Sequence, residues 1–232
     1  MHRFPIALFL FIVLYSCNPK LSNGLRKNDL KEDVEMITDK GTMIIRLSDS
    51  TPLHRDNFLK LVKRGYYDSL LFHRVINHFM IQAGDPKSKY AKPDEILGDG
   101  GPAYTIPAEF RTTLFHYKGV IAAAREADDV NPGKASSGSQ FYIVEGKIFT
   151  DGQLDSLEVT RLHGRKIPRW QRGKYETIGG SPHLDQQYTI FGEVIKGLDV
   201  IDSIASVPTT KPYNRPQKDV RIIKMQLIRR KN

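Results

Sequence analysis

The spacing of apolar residues changes along the chain, and each change marks a different kind of segment. Phe4 to Tyr15 is apolar apart from Pro5, Asn18 to Asp33 is polar without a sustained apolar period, and from Val34 onward short alternating runs dominate. Val34–Thr38 and Thr42–Leu47 flank Asp39-Lys40-Gly41, and Met43, Ile45 and Leu47 fall on one face, which predicts a β-hairpin. Thr51-Pro52 supplies an N-cap followed by proline at the first helical position. Leu53, Phe58, Leu61 and Val62 then form a stripe ended by Gly65, predicting a helix of about four turns. Strand-like runs follow at 71–76, 79–82, 119–124, 140–144, 188–194 and 220–228, with a second short helix at 195–206. Many short strands with two helices predict a mainly β fold: a closed barrel capped by two α-helices, which leaves no free sheet edge.

The first segment bears on compartment. A short basic start, a twelve-residue apolar stretch and Ser16-Cys17 form a signal-peptide pattern over residues 1–16. Twelve helical residues rise only about 18 Å, short of a hydrocarbon core of roughly 30 Å. Leu14-Tyr15-Ser16-Cys17 resembles a bacterial lipoprotein box, so lipidation at Cys17 is expected, with 17–33 as a lipid-anchored tether and 34–230 as the folded domain. The expected location is the bacterial cell envelope, membrane-anchored and periplasm-facing. Cys17 is the sole cysteine, so no internal disulfide can form.

Residues 151–180 interrupt the strand rhythm and read as a basic, partly helical insertion. A helix-compatible run around Leu154–Leu162 leads into Arg161, Arg165, Lys166, Arg169, Arg172 and Lys174, with no acidic residue between Val159 and Tyr175. A solvated excursion and a docking site for envelope phosphates or an acidic partner both fit this run. Trp170, the only tryptophan, is expected to pin the segment to the barrel.

The net charge of +9 is a weak pointer to anionic partners, and several chemistries lack their residues. His73 and His78 are five apart and share neither a strand face nor a helix face, so no metal site is expected. Gly98-Asp99-Gly100-Gly101 lacks the Lys-Ser/Thr and the helix that a phosphate loop needs and reads as a turn, and Ser137-Gly138-Ser139 lacks a nucleophile elbow. With an export signal and only Trp170 interleaved in the basic run, no nucleic-acid partner is expected.

Phe72-His73-Arg74-Val75-Ile76-Asn77-His78-Phe79-Met80-Ile81-Gln82-Ala83-Gly84-Asp85 stands out, together with Ser137-Gly138-Ser139-Gln140-Phe141-Tyr142-Ile143. These runs, with 98–101, 104–110, 119–125, His183-Leu184-Asp185 and Phe191-Gly192-Glu193-Val194, resemble the cyclophilin family of peptidyl-prolyl isomerases in order and spacing. The resemblance covers nearly the whole domain outside the basic segment. It implies an eight-stranded antiparallel β-barrel with a helix at each end and isomerisation of X-Pro bonds without cofactor or metal.

The resemblance makes Arg74 the catalytic arginine and gives Gln82 the role of orienting it and a substrate carbonyl. Phe79, Met80 and Leu184 would line the proline pocket, Gln140 and Tyr142 would face substrate, and Ala124 and Arg125 would contact its backbone. His183 stands where tight cyclosporin binders have Trp, Tyr188 where many members have His, and Tyr142 where Phe is common. These departures argue against tight cyclosporin binding and point to a shifted substrate preference. Proline-containing unfolded or partly folded polypeptides are the expected partners of a monomer that assists folding of exported proteins. A proline-peptide binding module or chaperone with incidental turnover is the alternative. His73 is expected to be structural, and Asp185 a turn former rather than a catalytic acid.

Overall fold

The computed structural model describes residues 24–93 and 95–230. The anticipated hairpin is β1 (Glu32–Thr38) with β2 (Gly41–Leu47), Val34 lying opposite Ile45 and Met36 opposite Met43. Next come α1 (Pro52–Lys63), β3 (Arg74–Ile76), β4 (Met80–Ala83), β5 (Thr105–Ile106), β6 (Val120–Ala123), β7 (Ser136–Ser137) and β8 (Phe141–Val144). The chain continues through α2 (Asp151–Thr160), α3 (Arg169–Thr177), β9 (Ile190–Lys196), α4 (Leu198–Ala205), β10 (Thr209–Thr210), β11 (Arg215–Pro216) and β12 (Ile222–Arg229). Eight strands make one antiparallel sheet in the order β12-β1-β2-β9-β6-β8-β4-β3, while β5 pairs with β7 and β10 with β11.

The fully closed barrel expected from sequence is not formed, because no strand ladder joins β3 to β12. Three-residue β3 has its outer edge occupied: Val75 N–H donates to the Asn214 carbonyl, in the turn between β10 and β11, at 2.9 Å. The sheet ends meet just before β3, where Ser69 N–H donates to Ile222 O, Ile222 N–H to Leu70 O and Phe72 N–H to Val220 O, each at 2.8 Å. These bonds satisfy backbone groups that an open edge would leave exposed.

The core lies inside the curl. Val34, Met36, Met43, Ile45, Ile81, Phe141, Ile143 and Met225 point inward from the strands, α1 adds Phe58, Leu61 and Val62, and α4 adds Val200, Ile201 and Ile204. Phe58 packs on Tyr67, Phe141 and Phe191 at centroid distances of 5.0, 5.4 and 5.1 Å. The cap of α1 differs from expectation. The Thr51 hydroxyl is buried without a hydrogen bond, and Glu109 takes its place, accepting from Leu53 N–H at 3.2 Å and His54 N–H at 3.0 Å. A carboxylate there also meets the positive end of the helix dipole.

The tether expected at 17–33 overlaps the domain. Leu25 is fully buried in the core, β1 already begins at Glu32, and buried Asp33 accepts two bonds from Arg46 at 3.0 and 2.9 Å. A polar setting hides Leu25 and Leu30 from a periodicity search, yet both pack against the core. The signal peptide expected at 1–16, the lipidation expected at Cys17 and the rest of the expected tether up to residue 23 lie outside the described residues. Among the described residues no helix is long and apolar enough to cross a membrane.

Residues 151–180 hold two helices, α2 at the expected helix-compatible run and α3 unforeseen, so the described residues form four α-helices. A capping box of Thr150 and Gln153 starts α2, and Leu154, Leu162, Ile167 and Tyr175 close over Phe115 and Phe149 as a small separate core. Basic residues here are partly neutralised from within. Buried Arg172 binds Asp151 at 2.7 Å, Asp155 at 2.9 Å and Glu158 at 2.9 Å, and Lys166 reaches Glu158 at 2.7 Å. Trp170 meets Phe115 edge-on at 5.1 Å while remaining 56% exposed, a partial pin.

Candidate active site

The site is built on the outer face of the curled sheet, and strand alternation puts it there. Val75, Ile81, Ala83, Ile121, Ala123, Phe141 and Ile143 belong to the inner core, whereas Met80, Val120, Ala122, Tyr142, Val144 and Ile190 form a second apolar cluster with Leu184. Register then lines up the polar groups. Arg74 lies opposite Gln82, Gln82 opposite Tyr142, and Tyr142 opposite Ala122, giving one cross-strand row on that face.

Hydrogen bonds orient this row. An Nη1–H of Arg74 donates to Gln82 Oε1 at 3.1 Å, Gln82 Nε2 donates to Gln140 Oε1 at 3.1 Å, and Gln140 Nε2 donates to the Gly98 and Gly100 carbonyls at 2.8 and 2.7 Å. The close approach that permits this chain depends on Gly84. Its φ is +99°, and a Cβ there would collide with the Ser139 carbonyl oxygen. Among the described residues Gln82 is the sole hydrogen-bond partner of Arg74, and no carboxylate pairs with it. A half-buried guanidinium thus keeps four of its five N–H groups for a ligand.

That cation borders a cavity of about 490 Å3 lined by Phe79, Met80, Gln82, Ala124, Arg125, Tyr142, Leu184 and Tyr188. Two anticipated residues lie just outside it. Gln140 lines an adjoining cavity of about 450 Å3 that also touches Gln82, Ala124 and Arg125. His183 lines another on the opposite flank, stacking on Phe79 with centroids 5.5 Å apart. Sequence reasoning missed Ile96, Leu97, Pro212, Tyr213 and Asn214, which close the outer rim from loops. Loops have no period to read.

Three anticipated contacts take a different form. The Tyr142 hydroxyl does not face the cavity: it bonds to His116 Nε2 at 3.0 Å, and the Nδ1 of that buried His lies 3.0 Å from Asp185 Oδ1. A carboxylate only accepts, so His116 Nδ1–H donates to Asp185, which fixes the ring with Nε2 against the tyrosine hydroxyl. The expected turn former is therefore a buried hub, accepting also from Tyr175 O–H at 2.7 Å and from His116 N–H at 2.8 Å. Ala124 has its backbone N–H and C=O already engaged, with Gln140 O at 3.0 Å and Ser137 N–H at 2.8 Å. The Arg125 side chain folds back, donating to the Gln187 carbonyl at 2.9 Å and lying 4.7 Å from the Tyr188 ring centroid.

Electrostatics reinforce the distinction between the cation and its surroundings. Burial pulls the Arg74 guanidinium below its ordinary pKa against an opposing effect of Tyr188, yet arginine starts high enough to stay charged at neutral pH. Burial holds His73, behind Arg74, down to about 4; Asp85 opposes this, and the charges of Arg74 and Arg215 add to it. His183 is likewise lowered to about 4 by burial, with Arg161 and His116 adding and Asp185 opposing. Both imidazoles are neutral at pH 7. Among the described residues no group of three or more His, Cys, Asp or Glu could hold a metal ion.

Comparison with known proteins agrees with the geometry. Residues 33–227 match the family model described as cyclophilin type peptidyl-prolyl cis-trans isomerase/CLD. A relative from Staphylococcus saprophyticus subsp. saprophyticus, named for peptidyl-prolyl cis-trans isomerase activity, is 32% identical over 90% of this chain and 98% of its own. One from Staphylococcus haemolyticus, with the same designation, is 34% identical over 87% of this chain and 93% of its own. Among solved structures, a Cryptosporidium parvum cyclophilin type isomerase superposes with a TM-score of 0.62 at 23% identity, covering 85% of this chain and 97% of that one. The same protein in the presence of the dipeptide Ala-Pro gives 0.61 at 23% identity, covering 86% and 99%. This chain belongs to the cyclophilin family and is a peptidyl-prolyl cis-trans isomerase.

Proposed function

We propose that isomerisation occurs in the 490 Å3 cavity, with Arg74 as the catalytic residue and the outer-face apolar cluster as the seat of the proline ring. One observation carries this reading: a half-buried guanidinium without a carboxylate partner stands beside an apolar notch. Rotating an X-Pro amide breaks its resonance across a barrier of roughly 18–20 kcal/mol. As the amide twists, the prolyl nitrogen regains its lone pair and becomes an acceptor. Arg74 donates to that nitrogen and to the adjacent carbonyl oxygen, so its hydrogen bonds strengthen along the rotation. A charge-assisted bond gives about 1.5–3 kcal/mol net, whereas a 10⁵-fold acceleration needs about 7 kcal/mol. Phe79, Met80 and Leu184 supply the remainder by gripping the ring in a partly dry site, and Gln82 orients the guanidinium.

Arg125, whose backbone N–H and C=O have no partner among the described residues, holds the substrate backbone, with Ala124 serving as wall. The test is exchange NMR on a short X-Pro peptide. The enzyme should accelerate cis–trans exchange, and Arg74→Ala should lower kcat/KM by about two to three orders of magnitude, as for loss of a preorganised donor. Undiminished acceleration by the variant would defeat the assignment.

The apolar stretch and lipobox-like run before Cys17 support a further part of the reading: the protein is exported, lipidated at Cys17, and acts as a monomer on polypeptides folding in the cell envelope. Mass analysis of membrane-extracted protein should find acylated Cys17 at the mature N-terminus. An unmodified chain retaining residues 1–16 would overturn it.

A further inference from the structure

A second groove opens on the far side of Phe79. Its volume is about 860 Å3, and one face of α2 forms its outer wall through Gln153, Ser156, Leu157 and Thr160, the spacing of neighbours on a helix surface. Ile76, Phe79 and Phe149 give it an apolar floor, and Lys147, Arg161 and His183 lie along the rim. Phe79 borders both this groove and the proline cavity and so stands between them, while His183 stacks on the same ring from the groove side.

The charge of the groove is one-sided. No carboxylate lines it. Asp151, Asp155 and Glu158 of α2 are drawn to its other side by Arg172 and Lys166, and Glu145 is held by the His78 N–H. Among the described residues Lys147 and Arg161 form no ion pair, and Lys147 lies 5.1 Å from the Phe149 ring centroid.

We propose that this groove is a second peptide subsite, which receives a flanking segment of the proline-bearing substrate and favours carboxylate side chains on it through Lys147 and Arg161. The inference rests on isomerisation in the neighbouring cavity. A chain seated there leaves past Phe79, and at about 3.3 Å per extended residue, two to four residues beyond the proline reach the groove. Continuity with the proline cavity and uncompensated positive charge select an acidic flank of the same chain over an unrelated partner. Residues 151–180 thereby set which prolines are served, while the chemistry stays on the sheet.

The experiment compares otherwise identical X-Pro peptides bearing Glu, Ala or Lys two to four residues from the proline on either side. The wild-type protein should prefer the Glu peptide to the Lys peptide by about three- to tenfold in kcat/KM, mainly through KM, and raised salt should shrink that ratio. In Lys147→Glu/Arg161→Glu, both at exposed positions, the preference should invert. Equal values for all flanks, or a Glu preference retained by the double variant, would overturn the subsite. Acceleration of an unflanked tetrapeptide by wild type reports the isomerase reading separately. Were that absent, the peptide dissociation constants by fluorescence anisotropy would still decide: tighter Glu than Lys binding supports the groove, and equal binding rejects it.

Discussion

Two arginines about a hundred residues apart in the chain, Arg172 buried and Arg74 half-buried, are treated in opposite ways. Arg172 sits between α2 and α3 with Asp151, Asp155 and Glu158 around it, and Asp151 and Asp155, against the effect of burial, raise its pKa. Arg74 has a single neutral partner, and burial lowers its pKa. A compensated guanidinium stitches two helices together. An uncompensated one is held ready for a ligand at some cost to the fold, which is the usual sign of a functional site.

The largest effects should separate the pair by kind. Arg74→Ala should abolish most turnover while leaving the denaturant midpoint unchanged or slightly raised. Arg172→Ala should cost about 2–3 kcal/mol of stability, toward the low end for a broken buried pair because Lys166 still holds Glu158, and leave turnover of a short peptide within about threefold. Loss of turnover in Arg172→Ala with stability kept would break the comparison.

Tyr142→Phe sharpens it. Removing the hydroxyl leaves the buried His116 Nε2 without its partner and should cost about 1–3 kcal/mol in urea melts. The ring remains as pocket floor, so kcat/KM should move less than about threefold. A large activity loss without destabilisation would mean that the hydroxyl contacts substrate.

The eight strands of the main sheet, α1 and α4 were legible in the sequence because alternation at Met43, Ile45 and Leu47 and the stripe of Phe58, Leu61 and Val62 each obey one period, whereas the two-residue strands β5, β7, β10 and β11 are too short to show one. The candidate site was legible for a related reason: Arg74, Met80, Gln82 and Tyr142 share strand parity, so one register brings them to one face. Illegible features depend on contacts distant in sequence. Glu109 caps α1 from more than fifty residues away, Asp185 fixes His116 across 69 residues, and Asn214 occupies the edge that keeps β3 from closing the barrel. Helix α3 hid because its residues are mostly polar and its stability derives from Tyr175 and Arg172 rather than an apolar stripe.

The smallest expected effect is of pH. His73 and His183 stay neutral in the fold down to about 4, whereas in the unfolded chain they titrate near 6.5. Above about pH 6.5 neither state binds the proton and these groups leave stability flat. Between about 6.5 and 4 only the unfolded chain takes it up, so stability falls as the solution is acidified. Each should contribute on the order of 1 kcal/mol between pH 7 and 5.5, read from denaturant midpoints, with the His183 share lost in His183→Phe. A midpoint that rises on acidification would contradict the assignment. Turnover should stay flat from about pH 6 to 9, since Arg74 keeps its charge throughout.

Binding and turnover measured side by side for Arg74→Ala test the account most directly. At saturating X-Pro peptide the exchange rate should fall by about a hundredfold or more, with the peptide dissociation constant changed by less than about threefold, because the guanidinium acts chiefly on the twisted amide. A variant that binds the peptide poorly yet turns it over at the wild-type rate when saturated would contradict it.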